Sequence, residues 1–157
     1  MKELSKRTKT FTDSVIRRMT RIANEYGAIN LSQGFPDFDP PQEILNRLSE
    51  VAHEDFNQYA ITLGAQNFRD ALAKKQSKYM NLDLDSNKNI VVTCGSTEAM
   101  MAAMMSVCDP SDKVIVFSPF YENYGADSIL CGADPIYVPL HPPVFNFDKE
   151  ELENAFK

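Results

Sequence analysis

Histidine and cysteine are scarce in this 157-residue chain, with two of the former and three of the latter. His53 and His141 have no ligand-spaced partner, so no zinc site or other metal site is expected. Cys94, Cys108 and Cys131 form an odd set without Cys-x-x-Cys spacing. That pattern fits buried free thiols in a reducing cytoplasm better than a disulfide scaffold. No apolar run approaches the roughly 20 residues that a membrane-spanning helix needs. No apolar core with a cleavage site follows Met1 either, so neither a membrane anchor nor a secretory signal is expected. Basic charge is also short: 16 Lys+Arg stand against 22 Asp+Glu, a net charge of −6. Nucleic-acid binding driven by phosphate neutralisation is therefore not expected. Internal repeats and low-complexity segments are missing as well.

What is present is ordinary for a soluble globular protein: 43% hydrophobic and 24% charged residues, in a length that suits one domain. The charge is uneven. Residues 1–21 carry seven Lys/Arg against Glu3 and Asp13, an excess of five positive charges, which leaves −11 for the rest. An organelle presequence has such a composition, but an exposed first helix with a cationic polar face is the favoured reading. The run Asp83-Leu84-Asp85-Ser86-Asn87 opens like a calcium loop, yet Lys88 stands where Gly is needed and Cys94 where a bidentate Glu is needed. It is read as a polar turn.

Thr12-Asp13-Ser14 offers caps for a first helix carrying Val15, Ile16, Met19, Ile22, Ala23 and Tyr26, with Gly27 as the stop. A Pro- and Asp-rich loop from Ser32 to Pro41 follows a short extended segment at 28–31. A second amphipathic helix carries Ile44, Leu45, Leu48, Val51 and Ala52. A third is expected to turn Phe68, Ala71, Leu72 and Tyr79 inward. From Asn89 the pattern changes: Ile90-Val91-Val92-Thr93-Cys94 reads as a buried strand that turns at Gly95-Ser96-Thr97 into a helix reaching Val107. A second strand at 113–117, a helix from about Asn123 to Gly132 and a third strand at 136–138 follow. Asp148-Lys149-Glu150-Glu151 is a capping box opening a last helix. Alternating strands and helices imply an α/β fold with a mostly parallel sheet and helices on both faces. A crossover begun at residue 148 with no strand to receive it points to a truncated chain.

The Gly95-Ser96-Thr97 turn is the strongest place for chemistry. The first N–H groups of a helix lack intrahelical partners and sit at the positive end of its dipole, so they favour an anion. Helix starts of this composition more often bind only water. The next strand also ends in a side-chain-rich turn, Ser118-Pro119-Phe120-Tyr121, which sets an aromatic face near the anion cradle and suits a flat ring bearing a phosphate. Core or subunit-contact aromatics are the bland alternative. A nicotinamide dinucleotide is not expected, because Glu98-Ala99-Met100 replace the later glycines of its fingerprint, and the Gly-Lys-Ser/Thr of a P-loop occurs nowhere. Met100, Met101, Met104 and Met105 read as core filling.

Asn30-Leu31-Ser32-Gln33-Gly34-Phe35-Pro36-Asp37-Phe38, Asn57-Gln58-Tyr59, Thr93-Cys94-Gly95-Ser96-Thr97-Glu98-Ala99 and Pro119-Phe120-Tyr121 resemble the class I/II aminotransferases. The branch in view holds kynurenine aminotransferase, glutamine transaminase K and bacterial methionine aminotransferases. The resemblance runs from about Phe11, and its Gln-Gly-Phe-Pro-Asp-Phe run is the most specific part. It implies the N-terminal part of the fold-type-I pyridoxal 5′-phosphate enzymes, with residues 1–38 as an arm and substrate-wall segment and 39–157 as part of a large cofactor domain. Gly95, Ser96 and Thr97 would cradle the cofactor phosphate, and Tyr121 would stack on its ring. Gly34 would meet the substrate carboxylate beside Phe35, and Tyr59 would reach the partner's phosphate in a cytoplasmic homodimer. Ile16 falls where some relatives place an aromatic substrate contact.

The activity implied is amino-group transfer from an amino acid to a 2-oxo acid. A cysteine-S-conjugate β-lyase with the same cofactor and a non-catalytic remnant are the alternatives. No catalytic residue is assigned: the Ser-x-x-Lys pattern of the cofactor lysine does not occur, and the Asn-Pro-x-Asn-Pro region and arginine clamp are missing too. The chain by itself is therefore expected to be inactive, with exposed apolar surface and poor solubility.

Overall fold

The computed structural model describes residues 3–10 and 13–157. Thr12 of the expected cap and Phe11, where the resemblance starts, lie outside the described residues. The chain divides into two compact units, one of residues up to Arg18 together with Cys94–Lys157, the other Met19–Thr93. Helix α1 (Val15–Tyr26) runs through the boundary and ends at Gly27, whose φ of 59° is the left-handed stop that the sequence announces.

In the unit containing 94–157, α4 (Gly95–Val107) leads to β1 (Lys113–Ser118), then α5 (Asn123–Cys131), β2 (Asp134–His141), β3 (Asn146–Phe147) and α6 (Lys149–Ala155). The remaining helices, α2 (Gln42–Val51) and α3 (Gln66–Met80), belong to the other unit. Strands β1 and β2 pair in parallel, from Lys113 opposite Asp134 to Ser118 opposite Pro139. The crossover helix α5 packs on both. It stops at Gly132, with φ 91°, where Ala133 N–H closes on Ser128 O at 3.0 Å. The chain then enters β2 directly, and Val116 and Val138 are buried between the elements. Strand β3 returns antiparallel, Leu140 opposite Phe147, so the small sheet is mixed. Asp148 caps α6 as its capping box requires, accepting Glu150 N–H at 2.8 Å and Glu151 N–H at 3.1 Å. The segment before α1 is fastened to α5 by Ser14, whose hydroxyl donates to Glu122 at 2.6 Å, and by Arg7, which donates to Leu130 O at 3.0 Å.

Four expectations are corrected. Residues 90–94 belong to no strand; Val92 N–H donates to Leu63 O at 3.0 Å, and 61–64 is a turn, which cannot continue a ladder. Helix α3 turns Arg69 and Ala73 inward, with Leu72 half-buried, while Phe68 and Tyr79 are exposed. The reason is Arg69, which is 1% exposed and donates to Gly64 O at 3.1 Å, Ser86 O at 2.5 Å and Gln66 Oε1 at 2.5 Å. A cation that satisfies two carbonyls decides which face is buried. Helix α4 buries no residue fully; Met100, Met101 and Met104 are half-buried and Met105 is exposed, so they do not fill a closed core. All three cysteines are free, but Cys94 is exposed and the other two are half-buried.

Candidate functional site

Cys94, with φ −72° and ψ 68°, stands ahead of α4 and offers no side-chain cap to it. Its own N–H is bonded to the Glu98 carboxylate, one turn into the helix. Gly95 then takes φ 80°, a left-handed backbone that a side chain would strain, with nothing within 4 Å of the place a Cβ would occupy. Ser96 and Thr97 follow with exposed hydroxyls. This first turn lies at the positive end of a 13-residue helix.

The second turn begins where β1 ends at Ser118. Phe120 stacks on Tyr137 of β2, with centroids 5.2 Å apart and planes 12° from parallel. Tyr121 is 51% exposed and lies edge-on to Tyr124 at 6.0 Å. Two residues later, Asn123 Nδ2 donates to Thr97 Oγ1 at 2.8 Å. That bond ties the first turn of α4 to the first turn of α5, so the Gly95–Thr97 cradle and the turn carrying Tyr121 meet at the carboxyl end of β1. Asn123 escaped the sequence reading: an Asn near a helix start is common, and its partner is 26 residues away.

Two cavities flank these turns. One of about 420 Å³ is apolar and lined by Met100, Met104, Phe117 and Phe120 among others. Another of about 550 Å³ is lined by Ser14, Arg17, Glu122, Asn123 and Tyr137 among others. Gly95, Ser96, Thr97 and Tyr121 line neither, and all four are exposed. Gly34, Phe35 and Tyr59 belong to the unit of residues 19–93 and are all exposed, Tyr59 completely at 101%. Among the described residues no group of three His, Cys, Asp or Glu is placed to hold a metal, and no helix is long and apolar enough to cross a membrane.

The family model for class I and II aminotransferases matches residues 26–157. The chain belongs to that family. A methionine aminotransferase of Escherichia coli is 38% identical to this chain over 139 residues, which are 88% of the chain and 36% of the relative. Human kynurenine–oxoglutarate transaminase 3 is 32% identical over 163 residues, 97% of the chain and 36% of that protein. Among solved structures, N-succinyldiaminopimelate aminotransferase from Mycobacterium tuberculosis superposes with a TM-score of 0.87 at 32% identity, covering 98% of this chain and 40% of that one. An Escherichia coli protein with a methionine aminotransferase function gives 0.89 at 34% identity, with the same two shares. The chain thus spans between 36% and 40% of the length of these relatives. The α/β architecture is that of the pyridoxal-phosphate-dependent aminotransferases, and the family implies that cofactor.

The residues present fit that cofactor. Helix-start donors and two hydroxyls match a phosphate dianion, Gly95 leaves room for its oxygens, and a half-exposed phenol stands at the neighbouring turn to cover a flat ring.

Proposed function

We propose that the protein containing these residues transfers an amino group from an amino acid to a 2-oxo acid with pyridoxal 5′-phosphate. The cofactor supplies an electron sink for the bond broken at the substrate α-carbon. The chain's own residues bind and orient. Gly95, Ser96 and Thr97 hold the phosphate through backbone N–H groups and hydroxyls. Tyr121 packs on the ring and keeps water from that side. The N–H of Gly34 meets the substrate carboxylate beside Phe35, within an arm and wall segment of residues 1–38; residues 39–157 belong to the cofactor domain. Tyr59, fully exposed on this chain, reaches the phosphate of a partner subunit in a homodimer. The free thiols fit a cytoplasmic setting. None of residues 1–157 is assigned the covalent or proton-shuttling task.

The observation that supports this reading is the 2.8 Å bond between Asn123 and Thr97, which ties the first turn of α4 to the turn that carries Tyr121. The relatives named above are aminotransferases, which favours amino transfer over the lyase and remnant readings. The test is the protein expressed from its complete reading frame, supplied with pyridoxal 5′-phosphate and 2-oxoglutarate. Methionine, kynurenine and N-succinyldiaminopimelate are offered as amino donors. Formation of glutamate with at least one donor is expected. Glutamate from none of them, or ammonia release from cysteine S-conjugates in its place, overturns the reading.

A further inference from the structure

We infer that Asn123 is a positioning residue that commits the Thr97 hydroxyl to donate toward the cofactor phosphate. The inference rests on reading residues 95–97 as a phosphate cradle. A threonine hydroxyl has one proton and two lone pairs, and its proton rotates to whichever acceptor is at hand. In a helix that acceptor is often a backbone carbonyl one turn back, where the proton is of no use to a ligand. Asn123 Nδ2 donates to Thr97 Oγ1 at 2.8 Å and so occupies one lone pair. The amide N–H approaching from α5 turns the Thr97 proton away from Asn123 and narrows the directions in which it can donate. An anion seated at the turn receives a donor already restricted in direction, with less hydroxyl rotor freedom to lose on binding.

Asparagine suits this task better than its acidic counterpart. An aspartate at 123 would accept the Thr97 proton itself and set a negative charge beside the phosphate. Position 123 is also well placed to stay put, because it opens α5, and the preceding residue, Glu122, is itself held by the Ser14 hydroxyl at 2.6 Å. The Asn123–Thr97 bond thereby couples cofactor grip to the packing of the segment before α1.

The test uses the protein from its complete reading frame and two probes that form no covalent bond, pyridoxamine 5′-phosphate and pyridoxamine. Affinities are read by fluorescence titration for wild type, Asn123→Ala, Thr97→Val and the double variant. Wild type is expected to prefer the phosphorylated probe. Asn123→Ala is expected to weaken that probe about five- to tenfold while changing pyridoxamine by less than about twofold. In the Thr97→Val background the asparagine substitution is expected to cost nothing further, since the hydroxyl it orients is gone. Three results overturn the inference: an unchanged or tighter phosphorylated probe in Asn123→Ala, an equal loss for both probes, or the same loss with and without Thr97. A wild type that binds the two probes alike overturns instead the phosphate cradle on which the inference stands.

Discussion

Replacing Gly125 by alanine tests the packing beneath the tyrosine turn. Gly125 is buried in the first turn of α5, and a Cβ there would stand 2.7 Å from Tyr137 Oη and 3.4 Å from Phe120 Cε2. Two effects compete. Alanine in a helix gains up to about 1 kcal/mol over glycine. The overlap with the phenol oxygen costs about 1–3 kcal/mol in displaced side chains. Tyr137 cannot simply swing aside, because its ring lies on Phe120, and giving up that stack costs about 0.5–1.5 kcal/mol. The clash therefore wins, and Gly125→Ala is expected to destabilise by about 1–2 kcal/mol. Removing the oxygen reverses the sign. In a Tyr137→Phe background the new methyl meets Phe120 at 3.4 Å, an ordinary contact, so the helix gain remains and Gly125→Ala stabilises by up to about 1 kcal/mol. Urea unfolding of the four proteins measures this through the midpoint at constant slope. The same sign and size of effect in both backgrounds refutes the packing argument, since the phenol oxygen would then not be what meets the methyl.

Arg69→Met is expected to destabilise by about 3–5 kcal/mol, because it strips donors from Gly64 O, Ser86 O and Gln66 at a site 1% exposed; amide exchange at residues 82–89 should rise with it, and unchanged exchange there would contradict the latch. Asp127 is 4% exposed, its Oδ2 has no hydrogen-bond partner among the described residues, and burial raises its carboxyl above the ordinary aspartate value. The folded state thus binds that proton more tightly than the unfolded chain, so its stabilising effect is complete in acid and is lost as pH rises through the raised value. Asp127→Asn should flatten this part of the pH–stability curve and raise stability near neutrality; an identical slope in the variant argues against it. Gly95→Ala meets no atom within 4 Å but forces a side chain to φ 80°, so a loss of about 1–3 kcal/mol, or a rearranged turn with weaker pyridoxamine 5′-phosphate binding, is expected by unfolding and titration.

Elements that announce themselves locally are legible in the sequence. Gly27 and Gly132 stop α1 and α5 in left-handed conformations, and Asp148 caps α6, each settled within a few residues of chain. The β-branched run of 113–117 formed its strand because 134–139 lies parallel to it. The equally β-branched run of 90–94 did not, because a ladder needs a partner strand and the adjoining segment at 61–64 is a turn. Strand β3 was invisible for the opposite reason: Asn146-Phe147 is too short to show a period and is defined by its return against Leu140 and His141. The face of α3 was misread because periodicity weighs apolar residues alone, whereas Arg69 is buried by what it donates to.

The same division runs through the candidate site. The proposed phosphate cradle can be read from Gly95-Ser96-Thr97 and its position at a helix start, and the tyrosine proposed to cover the ring from its place after a strand. The sequence sets the two turns near one another at neighbouring strand ends, but it does not show the bond that joins them. Contact depends on Asn123, whose identity carries no motif and whose partner is fixed by how α4 and α5 pack. A sequence thus displays the groups that bind a ligand, while the group that aims them becomes visible only through the distance it closes. If aim matters, residues such as Asn123 are where relatives sharing one cradle can differ in their hold on one cofactor. The Thr97→Val cycle separates that aim from mere packing, because packing survives the loss of a hydroxyl and orientation of its proton does not.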